Sequence, residues 1–307
     1  TPKPSSAASD VYKRQVDQTR GWFYTLHAIA TLLFDQPCYK NVIVLGLILD
    51  AQGRKMSKSD KNVVDPWEVI SAHGADAMRW YLITAAPPWN ERRFSVELTG
   101  KVARRFMRTL WNTYSFLVTY ANIDGFQPGN DPIPLAKRSP LDRWIVSELN
   151  HTIATVTTFL DDYDPTGAAR RIERFVDDLS NWYVRRSRRR FWKSENDADK
   201  LAAYATLYQC LVTLAKLLAP FVPFLAEEMY QNLVSSVFPE EPESVHLADF
   251  PVADLTKIDR HLAADIRLVM RVCSLGRAAR SEAGIKVRQP LAKLLVKVRS
   301  GTVSYTH

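Results

Sequence analysis

The sequence predicts a mostly α fold in two parts, a truncated α/β remnant followed by a helical bundle. Three observations carry this. A short β-branched run, "NVIVLGLIL" at residues 41–49, follows an apolar helix pattern and reads as a buried parallel strand. From Val96 onward the apolar spacing becomes that of long helices. Proline and glycine fall where such helices start and stop, at Asp65-Pro66, Gly74 and Ser139-Pro140.

The elements follow in order. Residues 1–15 are polar and aperiodic and read as a disordered tail or a non-native extension. Residues 16–35 enter a helix with Phe23, Leu26, Ala30 and Leu33 on one face. After the strand and a basic loop, Asp65 caps a helix that Gly74 stops, and Ala75–Thr84 forms the next. One strand does not make a sheet, so residues 16–95 read as the end of a larger α/β domain. Residues 96–250 read as the bundle. Val102, Phe106, Leu110 and Leu117 line its first helix, and Ile172, Phe175, Val176 and Leu179 a later one. Pro220 and Pro223 should split the last. Residues 251–307 start a further module, an arginine-bearing helix and then "KVRQPLAKLLVKV" as one or two strands.

With 307 residues, 46% of them hydrophobic, the chain can bury a sizeable core and favours two domains. Lys+Arg 41 against Asp+Glu 33 gives a net charge of +8, which suggests a polyanionic partner. The 3 cysteines and 6 histidines are scattered without metal-ligand spacing, so neither a zinc site nor a disulfide framework is expected. A reducing compartment, the cytoplasm, is the expectation. No signal peptide and no membrane span is read, and a monomer is expected.

Two constellations carry chemistry. The first is the loop "DAQGRKMSKSDKNVVDP", residues 50–66. Gly53 allows a tight turn, Lys55 and Lys58 can converge, and Ser57 and Ser59 add hydroxyl and backbone donors. That set can grip a polyphosphate. A solvated lysine-rich turn is the other reading, and no P-loop is present. The second is "SNWYVRRSRRRFW", residues 180–192. Arg185, Arg188, Arg189 and Trp192 share one helix face, and Arg186 and Arg190 another. Guanidinium groups fork onto phosphates and aromatics stack on unpaired bases. The alternative is ion pairing to Glu173, Asp177, Asp178 and Glu195. Lys101, Arg104, Arg105 and Arg108 form a further basic face that either follows RNA or meets water.

"KMSKS" at 55–59 after a strand resembles the signature loop of the class I aminoacyl-tRNA synthetases. "DQTRGWF" at 17–23 resembles the segment preceding it in the isoleucine-specific members. "SNWYVRRSRRRFW" resembles a stretch of their helical anticodon-binding domain. Over residues 16–300 the chain is similar to the C-terminal half of such an enzyme. The resemblance implies a Rossmann-like nucleotide-binding remnant with the signature loop, then an anticodon-binding bundle. It implies an ATP-dependent ligase joining isoleucine to tRNA(Ile) through an adenylate, with Mg2+ accompanying ATP and no metal held by the chain itself. It places Lys55, Met56, Ser57, Lys58 and Ser59 at ATP, with Lys55 and Lys58 catalytic. Asp17, Gln18 and Trp22 fall at the aminoacyl-adenylate and isoleucine pocket, although Trp22 also reads as core packing and Asp17 as a helix cap. Arg185, Arg186, Arg188, Arg189, Arg190 and Trp192 fall at tRNA. Two departures stand out. Arg14 and Gln15 occupy the place of the family's Glu-Gly pair, and no histidine has the spacing of the HIGH motif. The chain is therefore expected to be inactive alone. Two alternatives remain, a non-catalytic RNA-binding module and a valine- or leucine-specific relative.

Overall fold

Two parallel strands joined by a helix open the molecule. The computed structural model describes residues 11–57, 59–129, 133–193, 195 and 197–296, the side chains of residues 11–15 and 17 excepted. Strand β1 (Val11–Gln15) pairs in parallel with β2 (Asn41–Leu45), Val11 opposite Asn41 and Gln15 opposite Leu45. A parallel pair needs a crossover of a dozen or more residues. A 3-10 turn (Val16–Arg20) and helix α1 (Trp22–Phe34) supply it. The tail expected over 1–15 is thus corrected: its last five residues form a strand. "VYKRQ" lacks an apolar run, so its pairing with β2 shows only in three dimensions. Residues 1–10 lie outside the described residues.

The apolar run at 41–49 is split, because Gly46 and Leu47 separate β2 from β3 (Ile48–Leu49). β2 is also more open than a buried strand, with Val42 40% exposed and Ile43, Val44 and Leu45 half-buried. Among the described residues it has one strand neighbour. At the break, Gly46 N–H donates to the Pro88 carbonyl at 2.9 Å. β3 pairs in parallel with β4 (Arg92–Arg93). Between them lie the basic loop, α2 (Pro66–His73) and α3 (Ala75–Thr84). Asp65 caps α2 by accepting from Trp67 N–H, and Gly74, at φ 86°, carries the chain into α3.

The bundle begins at α4 (Val96–Asp124), capped by Ser95. α5 (Pro140–Asp161) starts with a full capping box, in which Ser139 and Asp142 each accept from the other's backbone N–H. α6 (Pro165–Asp178) runs through a π turn (Leu179–Val184) into α7 (Arg185–Phe191). α8 (Ala198–Leu218) ends at the proline pair, and α9 (Pro223–Tyr230) restarts beyond it. Ile172, Phe175, Val176, Leu179, Phe106, Leu110 and Leu117 are all buried. Trp80 stacks on Phe106 with ring centroids 3.8 Å apart, joining α3 to the bundle core. α8 is long and apolar enough to cross a membrane by length and composition. Here it packs as a core helix, with Leu207, Leu211, Leu214 and Leu218 fully buried.

The compact unit containing all of this ends at Ile258, and a second begins at Asp259. In the second, Asp259 caps α10 (Arg260–Glu282), which buries none of its described side chains. The strands expected in "KVRQPLAKLLVKV" are absent as far as Val296. Instead the Arg280 guanidinium draws the chain back, donating to the carbonyls of Lys286 and Gln289 at 2.9 and 2.7 Å. Those carbonyls are then taken, and no neighbouring strand is present among the described residues of that unit. The remainder of the segment lies outside them.

Candidate functional site

The basic loop is built on a buried carboxylate. Asp50, 3% exposed, ends β3. Its Oδ1 accepts from the backbone N–H groups of Gln52 and Arg54 at 3.0 and 2.8 Å. Its Oδ2 accepts from Arg54 Nε and Asn62 Nδ2, both at 2.9 Å. The Arg54 backbone N–H first, then the Asn62 amide, hold this carboxyl down at about 2. Asp50 N–H donates to Arg54 O at 2.8 Å, and Leu49 bridges Lys55 in antiparallel fashion, so residues 49–55 make a tight reversal. Gly53 sits at φ 87° within it, beside the Arg93 guanidinium.

Asn62 closes the loop from the far side. Its amide also donates to the Lys55 carbonyl at 3.0 Å, and its Oδ1 accepts from Ser57 N–H at 2.8 Å. Met56 is half-buried against Val69, Tyr81 and Phe94, which tie the loop to α2, α3 and the end of β4. Lys55 and Lys61 are exposed and carry no ion pair among the described residues, and Lys61 adopts φ 53°. The expectation that Ser57 and Ser59 offer backbone donors is corrected. Ser57 N–H is held by Asn62, and Ser59 N–H by the Ser57 hydroxyl at 3.2 Å. The two hydroxyls lie 2.5 Å apart. Lys58 lies outside the described residues. Asp50 and Asn62 escaped sequence reasoning, though an Asp two residues before a Gln-Gly turn is an Asx-turn signal.

The 17–22 segment forms the 3-10 turn and the start of α1. Asp17 lies in the turn, with its side chain outside what is described. It is not the cap of α1, since Gly21 holds that position. Gln18 is half-buried, and its carbonyl accepts from Gly21 N–H at 3.1 Å. Trp22 is 45% exposed, which removes the core-packing reading. The hydrogen bonds that hold the loop's base run between residues 50 and 62.

The arginine helix divides its guanidinium groups. Arg185, Arg188 and Arg189 are exposed and make no ion pair among the described residues. Arg186 lies over the Trp182 ring, 4.1 Å from its centroid. Trp192, 55% exposed, donates its Nε1–H to the Tyr120 hydroxyl at 2.9 Å, tying α7 to α4. Arg190 does not belong with the others, and the expectation that it contacts RNA is corrected. Its two terminal nitrogens meet Asp142 at 2.8 and 2.7 Å, and one reaches Asp199 at 2.9 Å. Asp142 is fully buried and also accepts from the Tyr183 hydroxyl at 2.6 Å. Burial pushes the Asp142 carboxyl up, but Arg190 and Tyr183 outweigh that and hold it below the usual carboxylate range. Of the acids expected as partners for the cluster, Asp177 accepts instead from the Asn181 amide at 2.6 Å. On the neighbouring helix Lys101 pairs with Glu97 at 2.7 Å and Arg105 lies 3.8 Å from Glu173, while Arg104 and Arg108 face solvent.

Comparison with known proteins agrees with this division into loop and bundle. A family model described as the anticodon-binding domain of tRNA ligase matches residues 142–296. One described as tRNA synthetases class I (I, L, M and V) matches residues 3–95. The isoleucine–tRNA ligase of Dehalococcoides mccartyi is 63% identical over 292 residues, covering 95% of this chain and 29% of the relative. That of Thermus thermophilus is 51% identical over 308 residues, covering 98% of this chain and 29% of the relative. The chain thus spans about 29% of the length of these curated relatives. Among solved structures, the agnB2 LeuRS of Agrobacterium radiobacter, in a ternary complex with tRNA and LeuAMS, is similar with a TM-score of 0.60. At 21% identity over 81% of this chain and 29% of that one, this likeness shows the fold alone. With a match over half its length and a class I segment ahead of it, the chain belongs to the family of tRNA-ligase anticodon-binding domains, joined to the end of a class I tRNA synthetase catalytic region.

Proposed function

We propose that the chain is part of an ATP-dependent ligase that attaches isoleucine to tRNA(Ile) through isoleucyl-adenylate. One observation carries the reading: a lysine loop with a fixed base shares a compact unit with a helix that presents unpaired guanidinium groups to solvent. In this reading Lys55 and Lys58 meet the ATP phosphates, and their charge offsets that developing on departing pyrophosphate. Mg2+ travels with the nucleotide. Met56, Ser57 and Ser59 shape the loop around the lysines. Asp17, Gln18 and Trp22 border the adenylate and the isoleucine side chain, where one methylene is worth about 1–3 kcal/mol of discrimination. Arg185, Arg186, Arg188 and Arg189 follow the tRNA backbone, and Trp192 offers a face for an unstacked base.

The test is amino-acid-dependent ATP–pyrophosphate exchange on the full-length protein that carries this segment. Exchange should be supported by isoleucine well above valine and leucine, and Lys58→Ala should abolish it. Exchange with valine alone reassigns the substrate. No exchange with any amino acid, alongside tight RNA binding, would leave a non-catalytic RNA-binding module.

A further inference from the structure

We propose that Asp50 and Asn62 are positioning residues, a two-residue clamp that fixes the base of the lysine loop so that its cations meet the polyphosphate in register. The inference rests on the phosphate-gripping reading above and adds the device that sets the geometry. Lysine side chains are long and mobile, so their placement depends on where the backbone holds them. The backbone here is held at few points. Asp50 gathers the two N–H groups and the guanidinium of the outgoing turn. Asn62 reaches across the returning strand of the loop to Asp50, the Lys55 carbonyl and Ser57 N–H. The two ends of the loop, at Asp50–Ser57 and at Asn62, are therefore tied to each other. Without Asn62 the link across the loop opens, leaving the Asp50 turn on one side and the packing of Met56 and Val64.

The chemistry of Asn62 is specific. Its amide nitrogen faces two acceptors, the Asp50 carboxylate and the Lys55 carbonyl, and its oxygen faces one donor. No other side chain of that size supplies both functions. Aspartate has the same shape, but sets an oxygen against two oxygens. Two carboxylates that close cannot both ionise, so Asp50 and an aspartate at 62 would share a proton. Among the described residues, the other charges around this point are Arg54 on Asp50, Arg93 beside Gly53, and Lys55, Asp60 and Lys61 on the loop. No histidine is among them.

The experiment uses the full-length protein and isoleucine-dependent ATP–pyrophosphate exchange. Asn62→Ala should lower kcat/KM for ATP by about 10–100-fold, the usual cost of a small misplacement of catalytic groups. KM for isoleucine should stay within about two-fold of wild type, because the amino-acid pocket lies elsewhere. The activity of Asn62→Asp relative to wild type should rise as the pH falls from about 8 to about 6, as the shared proton restores the missing donor. The relative activity of Asn62→Ala should stay flat. That contrast compares one folded variant with itself at two pH values, so loss of fold cannot produce it. Lys58→Ala separates the two failures. If Lys58→Ala is inactive while Asn62→Ala keeps wild-type kcat/KM, or while Asn62→Asp shows no pH-dependent recovery, the clamp is wrong and the phosphate reading stands. If Lys58→Ala is fully active, the phosphate reading falls and the clamp falls with it.

Discussion

Two neighbouring arginines, Arg189 and Arg190, sit in opposite surroundings. Arg190 is bound by both terminal nitrogens to a buried carboxylate, while Arg189 is exposed with no ion pair among the described residues. Breaking a buried pair strands the partner's charge, which costs about 3–5 kcal/mol. Arg190→Ala should lose that much at neutral pH, measured by urea unfolding of the chain. The loss depends on pH with a definite sign. The Asp142 carboxyl is held below its ordinary value, so its contribution is complete above about pH 4 and fades as the pH falls through the lowered value. The cost of Arg190→Ala should therefore shrink in acid. Arg189→Ala should change stability by less than about 0.5 kcal/mol. It should instead weaken tRNA binding and lower the salt slope by about one unit. A salt slope unchanged by Arg189→Ala would return that guanidinium to the solvent. In the sequence the two residues look alike. Asp142, the residue that separates them, lies 48 positions away along the chain.

At the scale of elements, phase decides which face an arginine takes. The inward residues Leu179, Tyr183, Ser187 and Phe191 recur every four positions. Each four-residue step overshoots a 3.6-residue turn by about 40°, so an unbroken α-helix would swing the last one well off the core. The π turn at Leu179–Val184 takes up the excess and keeps all four buried. No residue type announces a π turn, and the sequence placed Arg190 with Arg186 on a second face without showing that this face meets Asp142. Helix ends were far more legible. Ser139, Asp65 and Gly74 act locally, through hydrogen bonds to the next turn or through positive φ, and their effect is written in adjacent residues. The break in the apolar run was less so. Gly46 is needed because another stretch of backbone passes it: a Cβ there would sit 2.3 Å from the Asn90 carbonyl. Neither backbone can yield without moving β3 against β4. Gly46→Ala should cost on the order of 1–3 kcal/mol, and hydrogen exchange should show the loss concentrated in residues 41–49 and 88–94. A neutral Gly46→Ala would mean that the strand break is not pinned there.

Across the whole compact unit, α3 is one piece shared by the lysine loop and the bundle, beside Leu98 and Val102 of α4. Its Tyr81, Met78 and Leu82 belong to the cluster on which Met56 rests. Its N-terminal end is held by the bundle: Asp76 accepts from Leu225 N–H at 2.7 Å, and Arg79 donates to the Pro220 and Phe221 carbonyls at 2.8 and 3.2 Å. Its C-terminal end is held by α6, where the Thr166 hydroxyl donates to the Ile83 carbonyl at 2.7 Å and Arg170 to the Thr84 carbonyl at 2.9 Å. These bonds span 83 to 149 positions in sequence, beyond the reach of any periodicity argument. Together with the Trp80–Phe106 stack they make the α/β remnant and the bundle one cooperative body. The chain itself should then unfold residues 11–258 in a single urea transition, with far-UV dichroism and tryptophan fluorescence coincident. Removing the clamp at both ends with Arg79→Ala and Arg170→Ala should separate the two signals. The remnant should melt first, since its strands are half open and its helix α1 exposes Leu32, Leu33 and Phe34. The bundle should keep its own midpoint within about 0.5 kcal/mol of wild type, because neither arginine fills its core. Coincident transitions in the double variant would show that apolar packing alone couples the two parts, and that the hydrogen bonds to α3 only trim its position.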